Sequence, residues 1–217
     1  MNKKDIIKVL ENLKAKSKKR NFAQTYDLII NLRNLDTKKP EGQIDFYAAL
    51  PNSKTKPVKI CALVGPETKQ QAEEACGAFI LSDDFESYKD KKKAKELANN
   101  YDYFIAQGNM MGQIAAVFGR VFGPKGKMPN PKAGCVVPPK TNLKPLADKL
   151  RKTVKISSQK SLNIQVAVGS EDMPDEKVAE NLVSIYDQIT HHLPQEKHNL
   201  KSVLLKLTMS KPEKLTL

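Results

Sequence analysis

The middle of the chain alternates short apolar segments with amphipathic ones, and this pattern constrains the fold more than any other feature. The predicted strands lie at 58–64, 77–80 and 101–106, and the predicted helices run through Ala75, over 84–99, near 110–118 and over about 142–151. Strands that alternate with helices form a parallel sheet with helices on both faces. Residues 57–152 are therefore predicted to form a three-layer α/β domain.

The two ends of the chain are incomplete when taken separately. The predicted elements there are strands at 24–33, 43–50, 153–156, 162–168 and 202–207, an edge strand at 214–217, and an amphipathic helix at 174–190. We expect the first two strands to pair antiparallel across the turn-rich loop 36–42. Two strands cannot bury a core alone, so residues 1–56 and 153–217 are predicted to form one discontinuous α+β outer domain, a split β-α-β sheet, into which 57–152 is inserted.

The chain is strongly basic, with 37 Lys and Arg against 24 Asp and Glu, a net charge of +13. Such an excess indicates a polyanionic partner, in the first place nucleic acid. Residues 1–56 carry +7, residues 57–152 carry +6 and the remainder is neutral. We therefore expect the basic head, residues 1–56, to contact the partner, through Lys18, Lys19 and Arg20 in particular. If the tail, residues 153–217, packs against the head, we expect its acidic helix to face elsewhere. A generally solubilising lysine surface is the alternative.

Several other classes of protein are disfavoured by the sequence. No apolar stretch approaches the roughly 18 residues of a membrane span, and the N-terminus lacks a signal-peptide pattern, so we expect a cytoplasmic protein with no membrane partner. Gly65-Pro66-Glu67-Thr68 lacks the glycine spacing of a dinucleotide fold. The three cysteines are scattered and the histidines cluster at a helix end, where the dipole favours them. We predict no metal, no cofactor and no enzymatic activity.

Two lysine-rich segments allow two interpretations each. Lys125, Lys127 and Lys132 lie in the glycine- and proline-rich stretch 123–134, which contains no acids. This stretch is either a phosphate-contacting loop or an ordered loop that caps the inserted domain. The cluster Lys89 to Lys95 is either a solvated helix face or a further RNA contact.

Five segments give the chain a specific resemblance. They are Arg120–Gly134 (Arg-Val-Phe-Gly-Pro-Lys-Gly-Lys-Met-Pro-Asn-Pro-Lys-Ala-Gly), Asn21–Thr25, Leu50-Pro51, Val168-Gly169 with Met173-Pro174, and Leu207–Ser210. The first closely resembles the signature of the L-one family of large-ribosomal-subunit proteins in its archaeal form. The others resemble, in order, the start of that family's first strand, the strand end before its hinge, its second crossing region and its terminal Thr-Met-Gly. The resemblance extends over essentially the whole chain.

This resemblance implies a fold and a function. The fold is an outer domain built from both termini with an inserted Rossmann-like domain. The function is binding to 23S-type rRNA at the mobile lateral stalk, beside the path of departing tRNA, together with repression of translation through the protein's own mRNA. The implied protein is a monomer when free.

The family's RNA contacts carry over residue by residue. They fall on Phe22, Thr25, Ser202, Thr208 and Met209. Asp27 stands where the family often has Glu, and Ser210 replaces a family glycine; its side chain either obstructs close approach of RNA or adds a hydrogen bond.

The charged residues and the uncharged contact residues are expected to contribute differently to RNA binding. Short uncharged donors on a rigid strand can read the shallow groove of A-form RNA, whereas lysines supply attraction that does not depend on sequence. We expect the uncharged patch to select the RNA. Two other classes stay open: an enzyme that acts on RNA, and a general binder of DNA or other polyanions.

Overall fold

The computed structural model describes residues 3–36, 42–53, 57–139, 141–158 and 161–215. They form two compact units: unit 1 is Met1–Lys56 with Lys152–Leu217, and unit 2 is Pro57–Arg151. Both units mix helices and strands, as predicted. Within the described ranges, no helix is long and apolar enough to cross a bilayer.

Six α-helices and ten strands occur among the residues that the structure describes. The helices are α1 (Lys3–Lys16), α2 (Lys69–Cys76), α3 (Lys91–Asn100), α4 (Met111–Phe122), α5 (Leu143–Arg151) and α6 (Asp175–His192). The strands are β1 (Thr25–Leu32), β2 (Asp45–Ala49), β3 (Ile60–Val64), β4 (Phe79–Leu81), β5 (Tyr103–Gln107), β6 (Val136–Val137), β7 (Thr153–Ser157), β8 (Asn163–Ser170), β9 (Leu200–Leu207) and β10 (Glu213–Leu215).

Unit 1 contains a four-stranded sheet in the order β10-β9-β1-β8 and a two-stranded sheet of β2 and β7, with all neighbours antiparallel. Because β1 lies between β8 and β9, the β8-α6-β9 connection is the predicted split β-α-β. The predicted β1–β2 hairpin is wrong. Ile30 of β1 pairs with Ile164 on one side and Val203 on the other, so both edges of β1 are occupied by strands from the tail.

Helices α1 and α6 bury one face of this sheet. Alternate β1 residues, among them Leu28 and Ile30, enter a core shared with both helices. Gly169 of β8 allows α6 to pack closely, because a Cβ there would lie 3.1 Å from Val178 Cγ2 of α6, a tight contact that would require a small shift of the valine. Val168-Gly169 and Met173-Pro174 thus join β8 to α6 inside unit 1 and form no crossing between units.

The acidic helix α6 does not face away from the basic head, contrary to our expectation. Lys14 Nζ of α1 lies 2.6 Å from Asp175 Oδ1 of α6, and Lys3 Nζ lies 3.4 Å from Glu180 Oε1. Since α1 and α6 lie side by side on the sheet, their opposite charges meet along the seam. Part of the head's positive charge is therefore neutralised within the protein.

Unit 2 has a parallel sheet in the order β4-β3-β5-β6, which confirms the predicted alternation. All five residues of β3 are buried; Cys61 and Leu63 face a core built with α3 and α4, while α2 and α5 pack together. The single helix predicted over 84–99 is wrong. A 3₁₀ segment, Ser82–Lys89, ends at Asp90, whose carboxylate accepts the Lys92 N–H at 3.0 Å and starts α3.

Candidate nucleic-acid interface

The sheet face of unit 1 opposite the two helices carries a row of half-exposed side chains. On this face, residues of β1 lie directly opposite residues of β9. We call this row the ladder surface; its pairs are Thr25 with Thr208, Asp27 with Lys206, Ile29 with Leu204 and Asn31 with Ser202. Its ends are uncharged and polar, and the one acid on it stands opposite a lysine.

The ladder surface has two ends: Thr25 and Thr208 form the near end, and Asn31 and Ser202 form the far end. Ser202 therefore lies at the far end. It lies six residue steps from Thr208 along the chain, which corresponds to roughly 20 Å at about 3.4 Å per residue. Asn31 Nδ2 donates to Ser202 Oγ at 2.9 Å, so the serine hydroxyl keeps its own hydrogen for an external acceptor. The structure thus places the predicted residues Thr25, Asp27, Ser202 and Thr208 on one continuous face.

Thr208 holds the near end of the ladder surface together. The Thr25 N–H donates to Thr208 Oγ1 at 3.0 Å, and the Thr208 N–H donates to the Thr25 carbonyl at 3.1 Å. This exchange continues the β1–β9 pairing one step beyond the strand end. The exposed hydroxyl of Thr208 is therefore fixed in position before any partner arrives.

Two large apolar side chains project beside this near end. Phe22 is 53% exposed and Met209 is 60% exposed, in the loops that precede β1 and follow β9. β1 begins at Thr25, one residue after the start of the strand predicted at 24–33, so Phe22 lies in the loop before it. Exposed apolar side chains beside a polar surface indicate a contact region for a partner.

Gln24 connects the loops around the near end, and sequence reasoning missed this role. Its side chain is fully buried. Oε1 accepts the Met209 N–H at 3.2 Å, Nε2 donates to Ser17 Oγ at 3.1 Å, and the backbone carbonyl accepts the Glu171 N–H at 2.8 Å. The signal available in the sequence was a polar residue inside the recognised segment Asn21–Thr25. That its side chain is buried is visible only in the structure.

The basic cluster at the end of α1 splits into two groups. Lys14 and Lys16 form ion pairs with Asp175 and Glu213. In contrast, Lys18, Lys19 and Arg20 are exposed, and no ion pair joins them to any residue that the structure describes. The cations that remain available for phosphates are therefore the three predicted from the charge pattern.

Ser210 uses its side chain within the protein. Its Oγ accepts the Leu207 N–H at 2.8 Å and lies 3.2 Å from the Lys211 carbonyl, to which it can donate. These bonds tighten the turn that displays Thr208 and Met209. The hydroxyl that replaces the family glycine is thus bonded to the turn in the free protein.

The glycine-rich loop of unit 2 contributes its lysines unequally. Lys127 Nζ donates to the carbonyls of Ala98 and Tyr101 at 2.7 and 2.6 Å, which caps the C-terminal end of α3. Lys125 Nζ bonds to Asn99 at the same helix end, whereas Lys132 is exposed. These contacts support the capping interpretation for Lys127.

The carboxyl edge of the parallel sheet is arranged around Gln107. The Gly65 N–H, which would face a phosphate in a dinucleotide fold, donates to Gln107 Oε1 at 3.1 Å. Pro66 has no N–H to offer, and Glu67 adds a negative charge at the same turn. These features disfavour a phosphate ligand at this edge.

Three side chains that could be metal ligands or catalytic groups, His192, Cys61 and Cys135, have contacts or burial that fit a structural role. His192 stacks on Phe46 with ring centroids 3.8 Å apart and bonds to the Gln188 carbonyl at 2.8 Å. Burial raises the pKa of Cys61 to about 12 and of Cys135 to about 11, so both thiols stay protonated at neutral pH. No group of three or more metal-ligating side chains occurs among the described residues.

Comparison with known proteins identifies the family to which the chain belongs. The profile of the Ribosomal protein L1p/L10e family matches residues 13–211. The chain is 39% identical over 207 residues to the large ribosomal subunit protein uL1 of Methanobrevibacter smithii, covering 94% of this chain and 95% of that protein. It is 41% identical over 196 residues to the protein of the same name from Nanoarchaeum equitans, covering 88% and 91%. The chain therefore belongs to the Ribosomal protein L1p/L10e family, in its archaeal form.

Proposed function

We propose that the ladder surface of unit 1, with Phe22 and Met209 at its near end, is where this chain binds large-subunit rRNA. Membership of the family makes the chain a structural ribosomal protein of the large subunit that binds rRNA, and not an enzyme. The observation that carries the choice of surface is its two hydroxyl-bearing ends, Ser202 and Thr208, each held by a hydrogen bond, with exposed apolar side chains at the near end. Exposed cations that have no ion pair among the described residues accompany them.

The chemistry of the surface suits RNA better than DNA. Ser202 and Thr208 present hydroxyls at a fixed spacing along one strand, and A-form RNA displays 2′-hydroxyls in a wide, shallow groove. Phe22 supplies an apolar plate for a sugar or base. Lys18, Lys19 and Arg20 add attraction for phosphates that does not depend on sequence. Affinity and selectivity then come from different residues.

The finer function that we propose follows the family resemblance. The rRNA site is the mobile lateral stalk next to the tRNA exit site, where the protein also contacts departing tRNA transiently and assists its release. The same surface binds a similar structure in the protein's own mRNA and represses its translation. The protein acts as a monomer when it is free of the ribosome.

A competition experiment tests the proposal. A labelled stalk-rRNA fragment is bound to the protein and then challenged with unlabelled stalk RNA, the leader of the protein's own mRNA, and a random RNA duplex and a DNA duplex of equal length. We expect the first two to displace the label at similar concentrations and the duplexes to need at least a hundredfold more. Equal displacement by all four would indicate a general polyanion binder and refute the proposal.

A further inference from the structure

A groove in unit 1 adjoins the ladder surface and shares Lys18, Arg20 and Met209 with the contacts proposed above. It runs between the C-terminal end of α1 and the segment 209–213, and its volume is about 620 Å³. This lies within the range of roughly 300–1,000 Å³ that is typical of sites enclosing a small organic ligand. Met209 lines the groove as well as the near end of the ladder surface.

Part of the groove wall is apolar. Three of the ten lining residues, Leu13, Met209 and Pro212, are apolar, and the others are polar or charged. Leu13 is buried, whereas Met209 and Pro212 are exposed. The thioether of methionine is polarisable and adapts its shape to a flat ring, so this part of the wall suits the face of a planar heterocycle.

One hydroxyl in the groove is placed to bond the edge of such a ring. Ser17 Oγ lines the groove and accepts a hydrogen bond from Gln24 Nε2 at 3.1 Å. The direction of this bond is set by the other end of the amide, because Oε1 must accept the Met209 N–H. The Ser17 hydroxyl consequently keeps its hydrogen and can donate it to an acceptor in the groove.

The rim of the groove is positive. Lys18, Arg20 and Lys211 line it, are exposed and have no ion pair within the described part of the chain. The acid on the rim, Glu213, is held by Lys16. The groove therefore combines a partly apolar wall, the Ser17 donor and a cationic rim that includes the Arg20 guanidinium, a plane on which an unstacked base can lie close to its phosphates.

We propose that this groove binds one nucleotide looped out of the RNA that lies on the ladder surface. The inference rests on the proposed function, since the nucleotide belongs to the same RNA. A base inside a duplex is stacked on both sides and cannot enter, so the groove selects RNA with an unpaired nucleotide beside the helix that the ladder surface holds. Gln24 bonds to Ser17 in the groove and to Met209 beside the ladder surface, and thereby keeps the two at a fixed spacing.

Fluorescence of 2-aminopurine provides the test. The full chain is added to stalk-rRNA fragments that carry this base at each unpaired position in turn. We expect a several-fold change in emission at one position, and at least tenfold weaker binding when that nucleotide is deleted or paired, the scale of one stacked base. Unchanged emission at every position while the RNA binds normally would refute the groove proposal and leave the proposed function intact. Failure of the wild-type chain to bind the fragment would refute the proposed function instead.

Variants locate the signal within the protein. Lys18→Gln combined with Lys211→Gln, and separately Met209→Ala, should abolish the emission change, and the side chains changed are exposed, so folding is preserved. Lys8→Gln removes an exposed charge from the same helix outside the groove and should leave the emission change intact. A change that persists in both groove variants would overturn the proposal. Displacement of the base from the groove by a polyglutamate peptide at equal concentration would overturn it too, in favour of an acidic protein segment.

Discussion

Replacing Thr208 with valine isolates the hydroxyl at the near end of the ladder surface. Valine keeps the β-branched shape and removes only the oxygen that accepts the Thr25 N–H at 3.0 Å. The backbone bond from the Thr208 N–H to the Thr25 carbonyl at 3.1 Å stays in place. The segment at Thr208 should therefore stay paired with Thr25, and only the hydroxyl of Thr208 should be lost.

The expected cost differs between the free protein and the complex. Thr208 is exposed, so water can replace its hydroxyl in the free protein, and the stability loss should stay below the roughly 0.5–1.5 kcal/mol of an ordinary hydrogen bond. In the complex the RNA excludes that water and leaves the Thr25 N–H and an RNA hydroxyl without their partner. We expect a loss of about 1–3 kcal/mol in specific binding, the scale of one good contact, which is about 5- to 150-fold in Kd.

Filter binding to the stalk fragment measures this loss, with a random RNA duplex as the reference and urea unfolding as the measure of stability. Thr208→Ser is the matched control, because it restores the hydroxyl and should recover most of the affinity. Binding of the valine variant within twofold of wild type would refute the role of Thr208. An equal loss on the random duplex would show that the hydroxyl does not contribute to selectivity.

Three further predictions concern bonds and charges around the interface. Gln24→Leu leaves the Met209 N–H without its acceptor and should lower the free energy of unfolding by about 2–4 kcal/mol; a urea midpoint equal to that of wild type would contradict it. Lys19→Gln should reduce the slope of log K against log salt by a little under one unit, whereas Lys3→Gln, which removes a cation paired with an acid of α6, should not change the slope. Lys127→Met should destabilise unit 2 by about 1–3 kcal/mol through the two carbonyls it uncaps, and the exposed Lys132→Met by less than about 0.5 kcal/mol. Should Lys127→Met instead flatten the salt slope with stability unchanged, this lysine contacts phosphates.

The elements that local patterning can specify were predicted well. Helix α6 has buried Val178, Leu182 and Ile185 at helical spacing, and the fully buried β3 forms the continuous apolar run expected of a central parallel strand. The β1–β2 hairpin failed for a physical reason. A short connection favours pairing of neighbours, but β8 and β9 have eight residues each, as β1 has, whereas β2 has five, and no local pattern reports that competition.

The candidate site was predictable in its residues but not in its bonds. The resemblance pointed to Thr25 and Thr208, and the structure shows that they bond to each other. Gln24 was not predicted to organise the surface, because its role depends on three loops that are distant in sequence. The phosphate interpretation of Lys127 likewise ignored two carbonyls at the end of α3, which only the fold brings within reach.

The central position of β1 also determines the order in which the chain can fold as it is made. Both neighbours of β1 come from the tail, and β8 begins roughly 130 residues after β1 ends. At about 5–20 residues per second, synthesis of that interval takes on the order of 7–26 s. Unit 2 is contiguous and can fold during this delay, while the basic head waits with its strand unpaired. The proposed RNA-binding face is therefore completed only after β9 has been synthesised, so the part of the chain made before that point lacks the paired β1–β9 surface.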